Sequence, residues 1–184
     1  MNPTNLSTFN NSWYKPGKNS LVRFLWYITN VLVMMNPLNP LSSCRVRVLR
    51  LYGGKIGRNV VIKPGVNIKY PWKLEVGDNS WIGENAWIDN LGMVKIGNNV
   101  CISQGAMLLC GNHNYKSSSF DLIVGDINIE DGAWIGARSV VCPGVKVGSH
   151  AVLSVGSMAT KPLEAWKIYS GNPAIAIRDR KIEK

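Results

Sequence analysis

His113 is the side chain in this sequence best suited to acid–base chemistry, because an imidazole titrates near neutral pH. It is one of only two histidines in the 184 residues, and it lies between Asn112 and Asn114. The surrounding segment, residues 110–126, is polar and carries three serines and two asparagines. A base that removes a proton from a substrate hydroxyl needs this residue type in an accessible segment. A solvated loop histidine is the alternative interpretation.

Two further residues bear on this interpretation. The second histidine, His150, lies in the short turn Gly148–Ala151, where a polar residue is expected in any case, so we predict that it is a surface residue. A carboxylate or a backbone carbonyl should hold the proton of His113 on one ring nitrogen. Asp121 is a candidate for that role because it lies in the same segment.

A repeat of six residues indicates which elements position these side chains. Apolar residues recur at this spacing, and neither the helical period of 3.6 nor the strand period of 2 explains the pattern. Six residues form one short strand and a turn, and three such sides close a triangular coil that stacks on its neighbours. An ordinary β-sandwich is the alternative, but its turns would be irregularly spaced. The repeat positions are Ile56, Ile62, Ile68, Val76, Ile82, Ile88, Ile96, Ile102, Leu108, Ile129, Ile135, Val141, Val147, Leu153 and Ala159.

Interruptions of the repeat predict where the coil carries extra residues. The steps from Ile68 to Val76 and from Ile88 to Ile96 are eight residues long, so the first coils should contain twenty residues instead of eighteen. The large interruption contains residues 110–126, which we predict to leave the coil as a loop. A regular scaffold that spends so many residues on a polar loop usually does so for function.

The chain before the repeat is predicted to be helical. One candidate helix runs from about Ser20 to Met35 and a second from about Leu41 to Tyr52, ending at a glycine pair that suits a helix C-terminus. We therefore divide the chain into a basic helical cap (residues 1–55), a β-helix (56–161) with its loop (110–126), and a tail (162–184). The first helix is too short to span a bilayer. Two roles stay open for it: a cap on the open end of the solenoid, or a contact with an anionic membrane surface.

Charge is unevenly distributed along the chain. Residues 1–74 contain eleven Lys and Arg and no Asp or Glu, whereas the remainder has ten basic and eleven acidic residues. Nucleic acid is a common partner of such a basic region, but no binding motif or pattern of stacking aromatics supports it here. The four cysteines have no C-x-x-C spacing, which argues against a zinc knuckle or a redox dithiol. With no secretory signal evident, we expect a cytoplasmic protein, with peripheral contact at the inner membrane face left open.

Several segments together resemble a known family. The repeats, the segment Gly111–Tyr115, the stretch Gly132–Gly136 and the ending Gly171–Ala174 are similar to the left-handed β-helix hexapeptide acyltransferases. Among these, the chain looks most like enzymes that O-acetylate sugars of bacterial exopolysaccharides, the colanic-acid type, which are related to galactoside and maltose acetyltransferases. The resemblance covers about residues 45–180. It implies a mainly β fold of about five left-handed coils, a homotrimer, and acetyl-CoA as co-substrate with no bound cofactor and no metal.

The resemblance also implies roles for individual residues. His113 matches the catalytic base, which would activate a sugar hydroxyl for direct attack on the thioester. The acceptor should bind near the corner that carries extra residues, and Asn85, Asp89 and Asn90 are the candidates. Their alternative role is turn formation, which favours the same residue types. The acceptor itself, a free sugar or a lipid-linked glycan, is not specified by the sequence.

The coenzyme A residues come from the same resemblance. Trp134 is expected beside the pantetheine arm, and the main-chain N–H of Ala137 is expected to stabilise the oxyanion, with Gly136 allowing close approach of the ligand. Further expected contacts are Val155 and Gly156 to the arm, Thr160 and Lys161 to the adenosine phosphate, and Arg178 near the C-terminus.

Four tryptophans should lie outside the core on one side of the solenoid, which predicts that a second subunit covers them. They are Trp72, Trp81, Trp87 and Trp134. Other classes compete with this interpretation. A γ-type carbonic anhydrase shares the coil but needs three histidines for zinc, and this chain has two. A non-catalytic scaffold, transfer to an amino-sugar and transfer of another acyl group are the alternatives.

Overall fold

A parallel β-solenoid of about six turns forms the body of the structure. The computed structural model describes residues 3–183. Each full coil contributes one short strand to each of three flat faces, because each six-residue repeat buries one aliphatic residue within its strand and a second, mostly smaller residue two positions before it. The prediction of a mainly β hexapeptide solenoid is confirmed, with five complete coils and a partial sixth.

The three faces are parallel sheets whose strands are one coil apart. The first face contains β1 (Lys55–Ile56), β4 (Leu74–Val76), β7 (Val94–Ile96), β12 (Ile127–Ile129) and β15 (Lys146–Val147). The second face contains β2 (Val61–Ile62), β5 (Trp81–Ile82), β8 (Cys101–Ile102), β13 (Trp134–Ile135) and β16 (Val152–Leu153), followed by β18 (Lys167–Gly171) and β19 (Ala174–Asp179). The third face contains β3 (Asn67–Ile68), β6 (Trp87–Asp89), β9 (Met107–Leu109), β14 (Val140–Val141) and β17 (Met158–Ala159). The residues 162–184, predicted to be a tail, therefore add two strands to the second face.

The core is a set of aliphatic ladders inside the coil. On the second face, Ile62, Ile82, Ile102, Ile135 and Leu153 stack in register, and each is at most 1% exposed. Burying an aliphatic side chain of this size contributes about 1.5–3 kcal/mol relative to leaving it exposed. The ladder therefore fixes the register between coils, and insertions are tolerated only at the corners.

Corners absorb the differences in coil length. Along the first face Lys55 pairs with Glu75 and Glu75 with Lys95, each twenty residues on, as predicted. Lys95 then pairs with Asn128, thirty-three residues on. The additional residues form an antiparallel hairpin of β10 (Gly111–His113) and β11 (Leu122–Val124) at the corner between the third and first faces. The predicted loop at residues 110–126 is thus a hairpin that leaves the coil.

The corner between the second and third faces is a four-residue turn in every coil. Its third residue has a positive φ, as in Gly65, Asn85 and Arg138. Its second residue is Pro64 in the first coil and Ala137 in the fourth. A turn with a positive φ at the third position suits proline at the second, so this corner accepts proline without strain.

Two helices pack on the first coil. They are α1 (Ser20–Thr29), which continues into a π-helical turn (Asn30–Met34), and α2 (Ser42–Leu51). The Asn19 side chain caps α1 by accepting from the Val22 N–H, and Trp26 is buried with its Nε1 donating to the Ile68 carbonyl over 2.9 Å. Across residues 3–183, no helix has the length and apolar character needed to cross a bilayer. The α1–π segment still exposes a broad set of apolar side chains: Leu21, Phe24, Leu25, Tyr27, Ile28, Val31, Leu32 and Met35.

Many of the basic residues at the front of the chain are neutralised in the fold. Four of them form ion pairs with carboxylates of the next coil: Lys55–Glu75, Arg58–Asp78, Lys63–Glu84 and Lys69–Asp89. Arg45 is fully buried and donates to the carbonyls of Ile62 (2.9 Å), Asn39 (2.6 Å) and Pro40 (3.4 Å). Arg50 donates to the carbonyls of Ile56 and Gly57. The acid-free stretch of sequence is therefore not a uniformly positive surface.

Replacing Arg45 with methionine tests this role. Arg45→Met leaves three buried or partly buried carbonyls without their donor, so we expect the free energy of unfolding to fall by about 2–4 kcal/mol. Arg47→Met, on the exposed side of the same helix, should change it by less than about 0.5 kcal/mol. Urea unfolding monitored by circular dichroism measures both. Equal stability of the two variants would contradict a structural role for Arg45.

Candidate active site

His113 lies at the end of β10, and its ring is oriented by the main chain of the hairpin. Its Nδ1 is 2.8 Å from the carbonyl oxygen of Phe120. Because a carbonyl oxygen only accepts hydrogen bonds, Nδ1 must carry the proton in the neutral ring, and Nε2 then holds the free lone pair. Within residues 3–183, Nε2 has no hydrogen-bond partner. The imidazole is therefore preset as a proton acceptor at Nε2.

The carboxylate of Asp121 does not orient His113, so that prediction is wrong. Asp121 instead accepts hydrogen bonds from the hydroxyls of Ser119 (2.7 Å) and Ser117 (2.8 Å). The bond from Ser119 and, to a smaller extent, the bond from Ser117 lower the pKa of the Asp121 carboxyl below its ordinary value. Asp121 thus stabilises the tip of the hairpin, while the neighbouring carbonyl of Phe120 holds the imidazole.

Aromatic rings fix the plane of the His113 imidazole. Phe120 stacks on it with ring centroids 4.4 Å apart and planes within 6°, and Phe9 approaches at 5.6 Å. The imidazole is half-buried between them. A base held in one orientation needs no reorganisation when it accepts a proton.

The N-terminal segment, residues 3–18, forms a wall of the site, which the sequence did not predict. The Asn5 N–H donates to Ser118 in the hairpin (2.7 Å), and the Tyr14 hydroxyl donates to Leu91 (2.8 Å). Burial raises the pKa of Tyr14 above its ordinary value, so this donor stays protonated. Trp72 donates from Nε1 to Pro16 (2.7 Å). Trp72 is thus covered by its own chain and needs no second subunit, contrary to the prediction.

A cavity of about 540 Å³ opens between this segment and the hairpin. His113 forms part of its wall, together with Tyr14, Tyr70, Arg23 and Lys69. An adjoining groove of about 460 Å³ shares Arg23, Lys69 and Tyr70 and runs between α1 and the third face. The pairing of aromatic rings with polar donors suits a sugar, which presents both apolar faces and hydroxyls.

The three expected acceptor residues have different fates. Asp89 lines the adjoining groove and is paired with Lys69 at 2.9 Å. Asn90 is fully buried, and its amide bonds the main chain of Tyr70 and Lys73, so its prediction as an acceptor residue is wrong. Asn85 is an exposed turn residue with φ of 57° at the corner between the second and third faces. That corner is not the one that bears His113.

Five of the eight expected coenzyme A residues gather at the corner between the second and third faces. Trp134 is 47% exposed on the second face, and its Nε1 donates to the Ser103 hydroxyl at 2.8 Å, over a groove of about 340 Å³. Gly136 and Ala137 follow directly in the turn. The Ala137 carbonyl accepts from the Gly156 N–H (2.9 Å), whereas within residues 3–183 the Ala137 N–H has no acceptor. That free N–H is a donor available to a ligand.

The remaining residues of this set extend toward the C-terminus. Val155 and Gly156 occupy the same turn one coil later, and Val155 is 70% exposed. Thr160 and Lys161 are exposed directly after β17 on the third face. Arg178 is exposed on β19, opposite Ile168 on β18. Five of the eight residues therefore lie together, whereas Thr160 and Lys161 lie at the next corner, between the third and first faces, and Arg178 lies on the last strand of the second face.

His113 and the Trp134–Ala137 groove lie at different corners of the coil. The hairpin leaves between the third and first faces, and the groove lies between the second and third faces. One whole side of the triangle separates them within a single chain.

Comparison with known proteins identifies the family. The profile described as the hexapeptide repeat of succinyl-transferase matches residues 73–110 and 126–161. The colanic acid biosynthesis acetyltransferase WcaF of Escherichia coli (strain K12) is 37% identical over 164 residues, which cover 89% of this chain and 90% of that protein. The chain belongs to the hexapeptide-repeat acetyltransferases.

Two further relatives of this acetyltransferase are informative. Galactoside O-acetyltransferase of Escherichia coli (strain K12) is 29% identical over 132 residues, covering 67% of this chain and 63% of that protein. The crystal structure of the hexapeptide-repeat acetyltransferase VCA0836 from Vibrio cholerae, complexed with acetyl coenzyme A, superposes with a TM-score of 0.79. That structure is 20% identical and covers 88% of each chain, so the likeness establishes the shared fold.

His150 of the acetyltransferase packs against neighbouring side chains near the end of the coil. Its ring stacks on Trp166 with centroids 4.1 Å apart and planes within 2°, and its Nδ1 is 2.7 Å from the Ser149 hydroxyl. Arg180 donates to the carbonyls of Gly132 and His150, which ties the end of the chain to this turn. His150 thus helps to fasten the last strands to the coil.

Three of the four tryptophans predicted to lie outside the core are exposed, but they do not share one side. Trp81 and Trp134 lie on the second face, where both pair with Cys101 between them, and Trp87 lies on the third face. Their exposures are 60%, 47% and 39%. The prediction of a single tryptophan-bearing side is wrong, but two neighbouring faces do carry large apolar side chains that a partner or ligand would cover.

Proposed function

We propose that this acetyltransferase transfers the acetyl group of acetyl-CoA to a hydroxyl of a sugar, in an exopolysaccharide or another cell-surface glycan precursor. The observation that carries the proposal is the His113 imidazole, whose Nδ1 is held by the Phe120 carbonyl and whose Nε2 is free beside a cavity of about 540 Å³. The names of the relatives, an acetyltransferase of colanic acid biosynthesis and a galactoside O-acetyltransferase, support a sugar acceptor. The relative bound to acetyl-CoA supports the donor.

The chemistry follows from the preset imidazole. Nε2 of His113 accepts the proton of the sugar hydroxyl as that oxygen attacks the thioester carbonyl carbon. The carbonyl oxygen becomes an oxyanion, which the Ala137 N–H stabilises by donating a hydrogen bond. When the tetrahedral intermediate collapses, the C–S bond breaks and the CoA sulfur takes the proton from Nε2. The products are the acetylated sugar and free CoA.

Binding of the two substrates is assigned to the two corners. The proposed path of the pantetheine arm runs along Trp134, Gly136, Val155 and Gly156. Asp89 is the proposed contact to the acceptor. The charged end of CoA is assigned to a set of polar side chains because its phosphates are strongly anionic. This set is Thr160, Lys161 and Arg178.

A homotrimer completes the site in this proposal. Because His113 and the groove of Ala137 lie at different corners, a three-fold arrangement that sets the hairpin of one subunit against the groove of the next brings base and donor together. The exposed tryptophans on two neighbouring faces support such an interface. Each trimer then contains three sites, each shared by two subunits.

The proposal also includes contact of the N-terminal region with the cytoplasmic face of a membrane. Apolar side chains are exposed on α1 and the π-helical turn, among them Phe24 and Leu32. The exposed Lys15 and Lys18 precede α1 in the chain and form no ion pair within residues 3–183. An apolar helix preceded by free basic residues suits an anionic lipid surface. Arg45 and Arg50, by contrast, bind carbonyls of their own chain, so they do not belong to this surface.

Removing the base tests the mechanism. We expect His113→Ala to lower the rate of acetyl transfer by about 10²–10⁴-fold, as loss of general-base catalysis requires, with the affinity for CoA unchanged. Turnover of acetyl-CoA against a panel of neutral sugars and amino-sugars measures the rate, and the panel identifies the acceptor. His150→Ala is the control and should keep the parent rate. If the His113 variant retained more than about one fifth of that rate, His113 would not be the base.

Removing the oxyanion donor tests both the mechanism and the shared site. Ala137→Pro removes an N–H that has no hydrogen-bond acceptor within residues 3–183, at a turn position that Pro64 occupies in the first coil, so the fold should persist. The rate of acetyl transfer should fall about 10²–10³-fold because the oxyanion loses its donor. Glu84→Pro makes the same backbone change at the same turn position in the second coil and is the control for the fold; it also removes the exposed Lys63–Glu84 ion pair, which contributes little to stability. The Ala137→Pro and His113→Ala chains are then mixed in equal amounts and refolded together. A shared site is intact when one subunit supplies His113 and its neighbour supplies Ala137, so about one quarter of the sites of a random trimer should be active. An additive, unrescued mixture, or an active monomer in light scattering, would contradict the shared site.

Vesicle sedimentation tests the membrane contact. Each exposed basic residue contributes on the order of 1 kcal/mol near an anionic surface, so we expect salt-sensitive binding to anionic but not neutral vesicles. Replacing Lys15 and Lys18 with glutamine should weaken that binding, whereas replacing Lys95 and Lys181, the same change of charge elsewhere, should not. A protein that stays in the supernatant with both lipids at low salt has no such surface.

A further inference from the structure

The guanidinium of Arg23 lies at a cavity wall and is not paired with a carboxylate of residues 3–183. Arg23 lies in the first turn of α1, one turn before the buried Trp26 that holds the helix on the coil. Its Nε is the one buried side-chain nitrogen or oxygen in residues 3–183 without a hydrogen-bond partner. Its Nη2 donates only to the Ser20 hydroxyl, at 3.1 Å. A buried donor left unpaired costs free energy, so this arrangement needs a reason.

Several of the other positively charged groups around the first coils have partners, whereas Lys15, Lys18 and Arg47 are exposed to solvent. Lys69 is paired with Asp89, and Arg45 and Arg50 each bind main-chain carbonyls. Lys73 donates to the Leu91 carbonyl at 2.6 Å. Within residues 3–183, Arg23 forms neither an ion pair nor a bond to a carbonyl through its guanidinium. It is therefore set apart from the residues whose charge serves the fold.

Arg23 stands at the junction of two spaces. It lines both the cavity that contains His113 and the adjoining groove, and Lys69 and Tyr70 are shared in the same way. The walls of the His113 cavity include Arg23 and Lys69 and no carboxylate, and the Asp89 carboxylate in the adjoining groove is paired with Lys69 at 2.9 Å. The groove beyond the junction is lined mainly by aromatic and aliphatic side chains, including Tyr27, Val31 and Trp87.

We propose that Arg23 binds a phosphate of the acceptor, so that the substrate is a sugar phosphate ester or diphosphate ester whose sugar lies at His113. This proposal rests on the proposed function and names the substrate class of that site. A guanidinium binds phosphate oxygens in a forked, charge-assisted geometry, and that of Arg23 has only the Ser20 hydroxyl as a hydrogen-bond partner within residues 3–183. The phosphate then sits at the junction, the sugar in the cavity of His113, and the group on the other side of the phosphate in the groove.

The lining of the groove distinguishes two sources of the same phosphate chemistry. A polyprenyl carrier would place an isoprenoid chain against Tyr27, Val31 and Trp87, and from there along the exposed apolar side of α1. A nucleotide-linked sugar would place a base and ribose in the same groove. The apolar lining favours the prenyl chain, and both arms enter the experiment.

Direct binding tests the phosphate site without any assumption about catalysis. Inorganic diphosphate is titrated into the protein by calorimetry with CoA at saturation, so that the site for the CoA phosphates is already filled. We expect Arg23→Gln to weaken diphosphate binding by about tenfold or more, as loss of a charge-assisted bond predicts, and Arg23→Lys to weaken it less. Arg47→Gln, an exposed arginine outside both spaces, should bind as the parent does. If the parent does not bind diphosphate, or Arg23→Gln binds it equally well, the proposal is overturned.

Kinetics with matched acceptors separates this proposal from the proposed function. A sugar diphosphate on a short prenyl chain, the same sugar on a nucleoside diphosphate, and its methyl glycoside are compared. We expect Arg23→Gln to raise the KM for the two diphosphate acceptors about tenfold more than the KM for the methyl glycoside, which carries no phosphate. An equal loss on all three acceptors would overturn the phosphate role. If the parent acetylates no sugar at all, the proposed function fails, and the diphosphate titration still reports on Arg23.

Discussion

The in-register stacking of one aliphatic side chain per coil side is the constraint on which the rest of this structure depends. Because Ile82 must lie directly on Ile62 and beneath Ile102, no residue can be inserted within a face. Every irregular feature is therefore confined to a corner, where it does not disturb the ladder. The thirty-three-residue coil shows this directly: Val94 pairs with Ile127 as if the intervening hairpin were absent. The solenoid thus supplies rigid edges, and the chemistry is carried by what leaves them.

The same stacking determines which parts of the structure could be predicted from the sequence. The six-residue period is visible because each turn of the coil repeats the same burial, so the solenoid and the excursion at residues 110–126 followed from spacing alone. The helix ends followed instead from capping residues and from the Gly53–Gly54 pair. Asn90 could not be assigned in this way, because its partners are main-chain atoms of Tyr70, twenty residues earlier. The N-terminal wall of the site escaped prediction for a related reason. Residues 3–18 have no period, and their contacts to Ser118 and Leu91 join positions far apart in the chain.

Charge gives the clearest case in which the linear pattern differs from the spatial one. Residues 1–74 contain no acid, but a coil of twenty residues brings residue i beside residue i+20, so that Lys55 meets Glu75 and Arg58 meets Asp78. The solenoid itself neutralises much of the basic front. Arg23 is conspicuous only after these pairs are removed, since it lies on a helix outside the ladder and receives no carboxylate from the next coil.

The carbonyl that orients His113 has a consequence for how this protein tolerates change over generations. A side-chain partner can be lost through a single codon, but Phe120 keeps its main-chain oxygen whatever residue stands there. A substitution at Phe120 therefore removes the ring that stacks on the imidazole but keeps the carbonyl that holds Nδ1. A change in the number of residues between β10 and β11 would move that carbonyl itself. The length of this hairpin is thus under tighter constraint than its composition.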